Sequence, residues 1–266
     1  RPVPSLLRGF SAPVRLVVDL PQEDLLFLLR TDSDPFNRWQ AAQTLAMRAF
    51  VAGATGKPAA ADPQFVDALV DVALDGNLEA AFRAQVLQLP GEADIAREIG
   101  RDIDPDAIAA ARNEIRRAIG TRAGERLAAL FTSLATDAPF SPDAASAGRR
   151  ALANAALDLM VAGGDPAAAA LALRRFENAD NMTDRSAALA ILVLNARPER
   201  TAALAAFHDR YRDDPLVLDK WLALEASAPT GETLANVRRL LSHPSFALTN
   251  PNRIRALVGT FAGGNQ

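Results

Sequence analysis

Residues 62–74 read Asp-Pro-Gln-Phe-Val-Asp-Ala-Leu-Val-Asp-Val-Ala-Leu, and this stretch decides the fold. Phe65, Leu69, Val72 and Ala73 recur at the spacing that places them on one face of an α-helix. The pair Asp62-Pro63 marks where the helix begins. A short carboxylate accepts hydrogen bonds from the free amides of the first turn, and a proline at the first helical position sacrifices no bond, because that amide has no partner within the helix. The same kind of pair returns at Asp34-Pro35, Asp104-Pro105, Ser141-Pro142, Asp165-Pro166, Asp214-Pro215 and Asn250-Pro251. Seven such starts in one chain predict many short helices.

Outward from this stretch the helical pattern continues. Leu234, Val237, Leu240 and Leu241 form another apolar face, and the alanine runs 167–170 and 202–206 favour helix and allow close approach. The intervals between the cap-proline pairs are uneven, so no strict repeat is present. The expected fold is all-α, an irregular superhelix of helical hairpins of the armadillo or HEAT kind. Loops are expected at 53–62, 137–142, 163–165 and 227–231.

One segment breaks the pattern. Over Pro13–Leu20 the residues Val14, Leu16, Val18 and Leu20 alternate with Arg15, Val17 and Asp19 at period two, which predicts a strand. A lone strand is unstable in water. The expectation is therefore that residues 1–20 are the end of a preceding β-domain with its linker, and that 21–266 form the helical domain.

Composition narrows the function. The 266 residues are 49% hydrophobic, enough to build a sizeable core. The 29 basic and 32 acidic residues give a net charge of -3 without a block of either sign, which argues against nucleic acid and membrane surface as partners. No apolar run approaches the roughly 20 residues that span a bilayer. The absence of cysteine rules out disulfides and thiol chemistry and is compatible with a reducing compartment, so a cytoplasmic location is expected. The chain opens Arg-Pro-Val-Pro, with neither an initiator methionine nor a signal-peptide pattern, and reads as a piece of a longer polypeptide.

Catalytic equipment is sparse. The two histidines, His208 and His243, form no HExxH pair, and a catalytic zinc usually needs three ligands. Helix-surface or capping roles are expected for both. No G-x-S-x-G elbow occurs, the doublets Gly163-Gly164 and Gly263-Gly264 lack a phosphate-loop context, and Asp102, Asp104 and Asp106 lack the rest of a calcium loop. Read from its residues alone, the chain is a scaffold or interaction domain.

Five blocks carry a resemblance. They are Pro4-Ser5-Leu6-Leu7-Arg8-Gly9-Phe10-Ser11-Ala12-Pro13-Val14, Asp34-Pro35-Phe36-Asn37-Arg38-Trp39 with Ala41-Ala42-Gln43, Asn181-Met182-Thr183-Asp184, Asp219-Lys220-Trp221, and Ser245-Phe246 through Asn250-Pro251-Asn252-Arg253 to Phe261. In this order they resemble the C-terminal region of the bacterial aminopeptidase N (alanyl aminopeptidase) family of zinc metallopeptidases. The resemblance implies that the opening block ends a β-sandwich domain and that the helical domain is truncated at its C-terminal end. It also implies that the zinc ligands, the HExxH motif and the GAMEN loop lie on an upstream catalytic domain, so this chain carries no zinc or other cofactor. It would be non-catalytic, enclosing the active-site chamber and limiting entry of short peptides, with the catalytic and β-sandwich domains of the same polypeptide as partners.

Within that reading Arg253, Asn250, Asn252, Asn181 and Asp184 are substrate-channel candidates. Arg253 sits in the first turn of a helix, where the macrodipole disfavours a cation, so something else must hold it. That is either a carboxylate within this domain or a group facing the chamber. The alternative function is an autonomous helical-repeat scaffold that binds another protein.

Overall fold

A computed structural model describes residues 2–12, 14, 16–136 and 138–264. Among them the regular structure is entirely helical. A short 3-10 turn, Arg8–Phe10, precedes α1 (Gln22–Thr31), α2 (Pro35–Ala54), α3 (Pro63–Leu74), α4 (Ala80–Leu87), α5 (Glu92–Ile99), α6 (Pro105–Ser133) and α7 (Ala144–Ala162). Then come α8 (Pro166–Asn178), α9 (Met182–Leu194), α10 (Arg200–Tyr211), α11 (Pro215–Ser227) and α12 (Thr233–Leu240). A last helical stretch starts as α13 (Pro251–Ile254), passes through a π segment, Arg255–Gly259, and ends as α14 (Thr260–Gly264). Among the described residues no helix is long and apolar enough to cross a membrane.

The caps act as the sequence predicts. Asp34 accepts from the Asn37 amide, Asp62 from Gln64 and Phe65, Asp104 from Ala107, Asp214 from Leu216 and Val217, and Asn250 from Asn252 and Arg253. Ser141-Pro142 departs from this pattern. There α7 starts two residues later, and Asp143 is the cap, taking the Ser146 amide at 2.9 Å. Hydrogen bonds from the Ser141 hydroxyl and then from Ser146 hold its carboxyl well below the usual carboxylate range.

The chain divides into two compact units, 1–165 and 166–266. In the first, α1 packs on α2 and α3, α2 and α3 pack on α6, and α4 and α6 pack on α7. Phe65, Leu69, Val72 and Ala73 are all buried in this unit, as their spacing requires. In the second, α11 is the centre and contacts α9, α10, α12, α13, the π segment and α14. The α12 face divides: Val237 and Leu240 are buried, whereas Leu234 and Leu241 are exposed.

Among the described residues the predicted strand is not formed. Val14 and 16–20 are not in a ladder, and Pro13 and Arg15 lie outside the described residues. A period-two pattern needs a neighbouring strand to satisfy its amides and carbonyls, and the described residues offer none. Val17 is left 89% exposed.

Arginines from the first turn of one helix recur at the C-terminal end of the helix before it. Arg38 Nε donates to the Leu29 carbonyl at 2.9 Å, and Arg83 Nε to Ala73 at 2.7 Å. Arg185 Nε donates to Phe176 at 3.2 Å. Each satisfies a carbonyl that the helix leaves open and places a cation at the negative end of its dipole.

A close backbone approach lies between α6 and the end of α7. A Cβ built on Gly120 would stand 2.1 Å from the Leu159 carbonyl oxygen and 2.6 Å from the Gly163 amide nitrogen. Only a glycine fits against backbone at that distance. Gly120→Ala should therefore destabilise the first unit by about 3 kcal/mol, the upper part of the range for overpacking. A urea titration with unchanged midpoint would show that α6 and α7 do not need this approach.

Candidate functional site

The matched sequence blocks become joints in the structure. The opening block and Asp34–Trp39 interlock in the first unit. Arg8 Nη1 donates to Ser5 Oγ at 2.8 Å and to Asp32 Oδ1 at 3.0 Å, and Arg8 Nη2 donates to Ser33 Oγ at 2.8 Å. The Gly9 amide donates to Asp34 Oδ2 at 2.7 Å and Asn37 Nδ2 to Ser5 Oγ at 2.7 Å. The Phe10 and Phe36 rings meet edge to face, 5.1 Å between centroids. Leu7 and Phe10 both have φ of 53°, a left-handed conformation that the surrounding bonds must hold.

Asp32 is the buried centre of this clasp, its side chain 2% exposed. Burial pushes its carboxyl up. The Asp34 amide, the Ser5 hydroxyl and the Arg8 guanidinium together outweigh that and leave it below its ordinary value. No single residue type in the sequence pointed to this cluster; only the matched blocks did.

In the second unit Asn181 caps α9 by accepting from the Asp184 amide at 2.9 Å, and its Nδ2 donates to Asp184 Oδ2 at 3.1 Å. Asp184 also pairs with Arg175 of α8 at 2.8 Å. Beside it the buried Arg185 bonds the Phe176 and Ala179 carbonyls, and its Nη1 donates to the Tyr211 hydroxyl of α10 at 2.7 Å. Asn181 and Asp184 thus stand at the α8, α9 and α10 junction.

Arg253 stands at another junction. It is 5% exposed. Its Nε donates to the Ser245 carbonyl at 2.9 Å and its Nη1 to the Pro215 carbonyl at 2.7 Å, and Nη1 also pairs with Asp219. Of the two holders open at sequence level, the structure shows the carboxylate within the chain, and it belongs to the block Asp219-Lys220-Trp221. Asn250 Oδ1 is engaged in capping, and both Asn250 and Asn252 are exposed. The candidates therefore occupy two helix junctions. The residues missed by sequence reading are Arg8, Asp32, Arg185 and Asp219; an arginine four residues after the caps Asp34 and Asn181 is the signal that could have found Arg185.

The histidines depart from expectation. His243 does accept locally, from the Ser245 amide at 3.2 Å, but His208 and His243 pack on each other and on Trp221 rather than lying on a helix surface. Among the described residues no three His, Asp or Glu side chains converge as a metal centre requires.

Residues 22–266 match the family described as "Domain of unknown function (DUF3458_C) ARM repeats". The chain belongs to this family. Among curated proteins it is similar to the aminopeptidase N of Caulobacter vibrioides, 43% identical over 99% of this chain and 31% of that protein. It is similar also to the aminopeptidase N of Escherichia coli, 36% identical over all of this chain and 31% of that protein. Among solved structures, Legionella pneumophila aminopeptidase A in complex with aspartic acid superposes with a TM-score of 0.86 at 27% identity, covering 98% of this chain and 32% of that one. The chain thus spans about a third of the length of these relatives and is homologous to the C-terminal region of aminopeptidase N.

Two outcomes are expected from these joints. Arg253→Ala strips donors from two carbonyls and from Asp219, and should cost the second unit about 3 kcal/mol in chemical denaturation; Arg253→Lys should recover little, since an ammonium lacks the planar fork. An unchanged unfolding midpoint for the alanine variant would free Arg253 from architecture. For the clasp, a depressed carboxylate contributes stability that is complete above its unfolded value of about 3.9 and is lost as pH falls through its lower folded value. Hydrogen exchange at residues 5–10 should accelerate below about pH 4, and Asp32→Asn should bring the acceleration to neutral pH; equal protection in both proteins would contradict this.

Proposed function

We propose that this chain is the non-catalytic C-terminal part of an aminopeptidase N that removes N-terminal residues from short peptides, and that it encloses the active-site chamber and limits access to it. The observation that carries this reading is the match of 99% of the chain to only 31% of a 43% identical aminopeptidase N, which leaves most of that protein's length for other functions. The catalytic and β-sandwich domains of the same polypeptide would be its partners, and short peptides its passing substrates. A cytoplasmic location belongs to the same proposal.

Zinc belongs to the parent enzyme in this reading. Among the described residues no three His, Asp or Glu side chains converge as a zinc centre requires, and no catalytic step is assigned to them through a metal. Their part is positional. Arg253, Asn181 and Asp184 hold helix junctions whose faces would line the chamber wall. Asn252, exposed beside Arg253, is the candidate we assign to peptide contact, with Asn250 fixing the turn that presents it.

The test uses the full-length polypeptide. Asn252→Ala should raise KM for tripeptides several-fold while leaving turnover of alanyl p-nitroanilide and the thermal midpoint unchanged, because uniform binding would be lost. Chelator-sensitive hydrolysis by the 266-residue chain alone, after contaminant controls, would overturn the division of labour. Unchanged peptide kinetics in the variant would remove Asn252 from the channel.

A further inference from the structure

Both histidines of the chain meet in the second unit. His208 on α10 and His243 in the turn after α12 lie edge to face with ring centroids 5.1 Å apart, and both rest against Trp221 of α11, at 4.5 and 5.4 Å. Trp221 is 5% exposed. The His208 Nε2 and Trp221 Nε1 atoms are buried without a hydrogen-bond partner among the described residues. Such a packing suits neutral rings. A proton added to His208 would put a charged N–H where no acceptor waits, and a proton on each ring would set two cations about 5 Å apart.

We propose that His208, Trp221 and His243 form a proton-sensitive latch, which holds the segment 241–250 on α10 and α11 at neutral pH and releases it when the imidazoles take up protons. The charges around the rings are mixed. On α10, the Asp209 carboxylate lies 3.5 Å from His208 Nδ1, but its side chain is 78% exposed and its pull is screened by water. On α11, burial pushes the Glu225 carboxyl up, while Asn236 Nδ2, donating at 2.6 Å, and the nearby Arg239 and His208 pull it down. Asp219, also on α11, is engaged with Arg253. From α12, Arg239 opposes protonation of His243. On α9, Asp184 and Arg185 are engaged with Arg175 and with Tyr211. For His243, burial is the largest influence, followed by His208 and Arg239, and together they lower its proton affinity. A histidine of lowered pKa contributes stability that is complete above about pH 6.5, its unfolded value, and is lost as pH falls through its lower folded value.

The released segment contains Ser245, whose carbonyl accepts from Arg253 Nε. Opening the latch therefore loosens the Arg253 joint and the turn that carries Asn250 and Asn252. The inference rests on ring geometry in this chain and stands apart from the parent activity.

The experiment needs no substitution to begin. In the intact 266-residue chain the two histidine Cε1 proton signals are followed by NMR from pH 8 to pH 5, and exchange of residues 241–250 is compared at pH 7.5 and pH 5.0 after correction for intrinsic rates. At least one histidine should titrate below about 6.5, with protection of 241–250 falling about tenfold for each pH unit of lowering. In a Trp39→Phe background, Trp221 emission should quench with the same midpoint. His243→Gln should abolish the pH dependence of protection while circular dichroism at pH 7.5 stays helical; if that variant fails to fold, the unsubstituted chain decides. Independent titration of both rings near 6.5, or protection of 241–250 unchanged between the two pH values, overturns the latch.

Discussion

A protein built from short helices is governed by its helix ends. Each end leaves four amides or four carbonyls without a partner inside the helix, and in a compact unit many of these are cut off from water. At the starts of α2 and α9 this chain meets the demand from both sides of the joint. The aspartate or asparagine that opens a helix takes its first amides. An arginine one turn further on reaches back to the carbonyls that the previous helix leaves open, as Arg38, Arg83 and Arg185 do. Cap and arginine together fix both the start of a helix and the position of its predecessor.

That device explains why the conspicuous sequence blocks are joints. The opening turn is held by Asp34, Asn37 and Asp32, and Asp219 holds Arg253 although 34 residues separate them. A buried arginine with fixed acceptors is costly to leave unpaired, so its partners act as one unit with it. What recurs across loops of differing length is an arginine that reaches the end of the previous helix, because it is the helix end, not the interval, that must be satisfied. The same economy of contact appears where α6 meets α7, with Gly120 and Gly163 bringing the two backbones together.

The helical class and most helix starts were legible in the sequence because capping is local: an oxygen-bearing side chain, a proline and the first turn lie within four residues. Two readings failed for complementary reasons. The alternation over 13–20 has the right period for a strand, but a strand is completed by a neighbour that period cannot supply. The α12 face has the right period for burial, but the buried side is Thr233, Val237 and Leu240, and Leu234 and Leu241 lie together to one side of it and stay exposed. Of the candidate site, Arg253 was visible as a cation out of keeping with the first turn of a helix, and Asn181 and Asp184 only through a matched block. Their partners were not, since Asp219 is separated from Arg253 by a whole helix and Arg175, which pairs with Asp184, lies on the helix before it.

The sequence by itself determined the all-helical class, the helix starts that aspartate-proline and asparagine-proline pairs mark, and membership of a recognisable family, all of which depend on residues close together in the chain. Tertiary structure decided which arginine meets which carbonyl, that Asp32 is the buried centre of a clasp, and that two histidines 35 residues apart share one tryptophan. The physical reason is one of range. Caps and periodicity act within a turn or two of helix, whereas burial and charge pairing depend on what the folded chain brings alongside, and no local pattern specifies that neighbour.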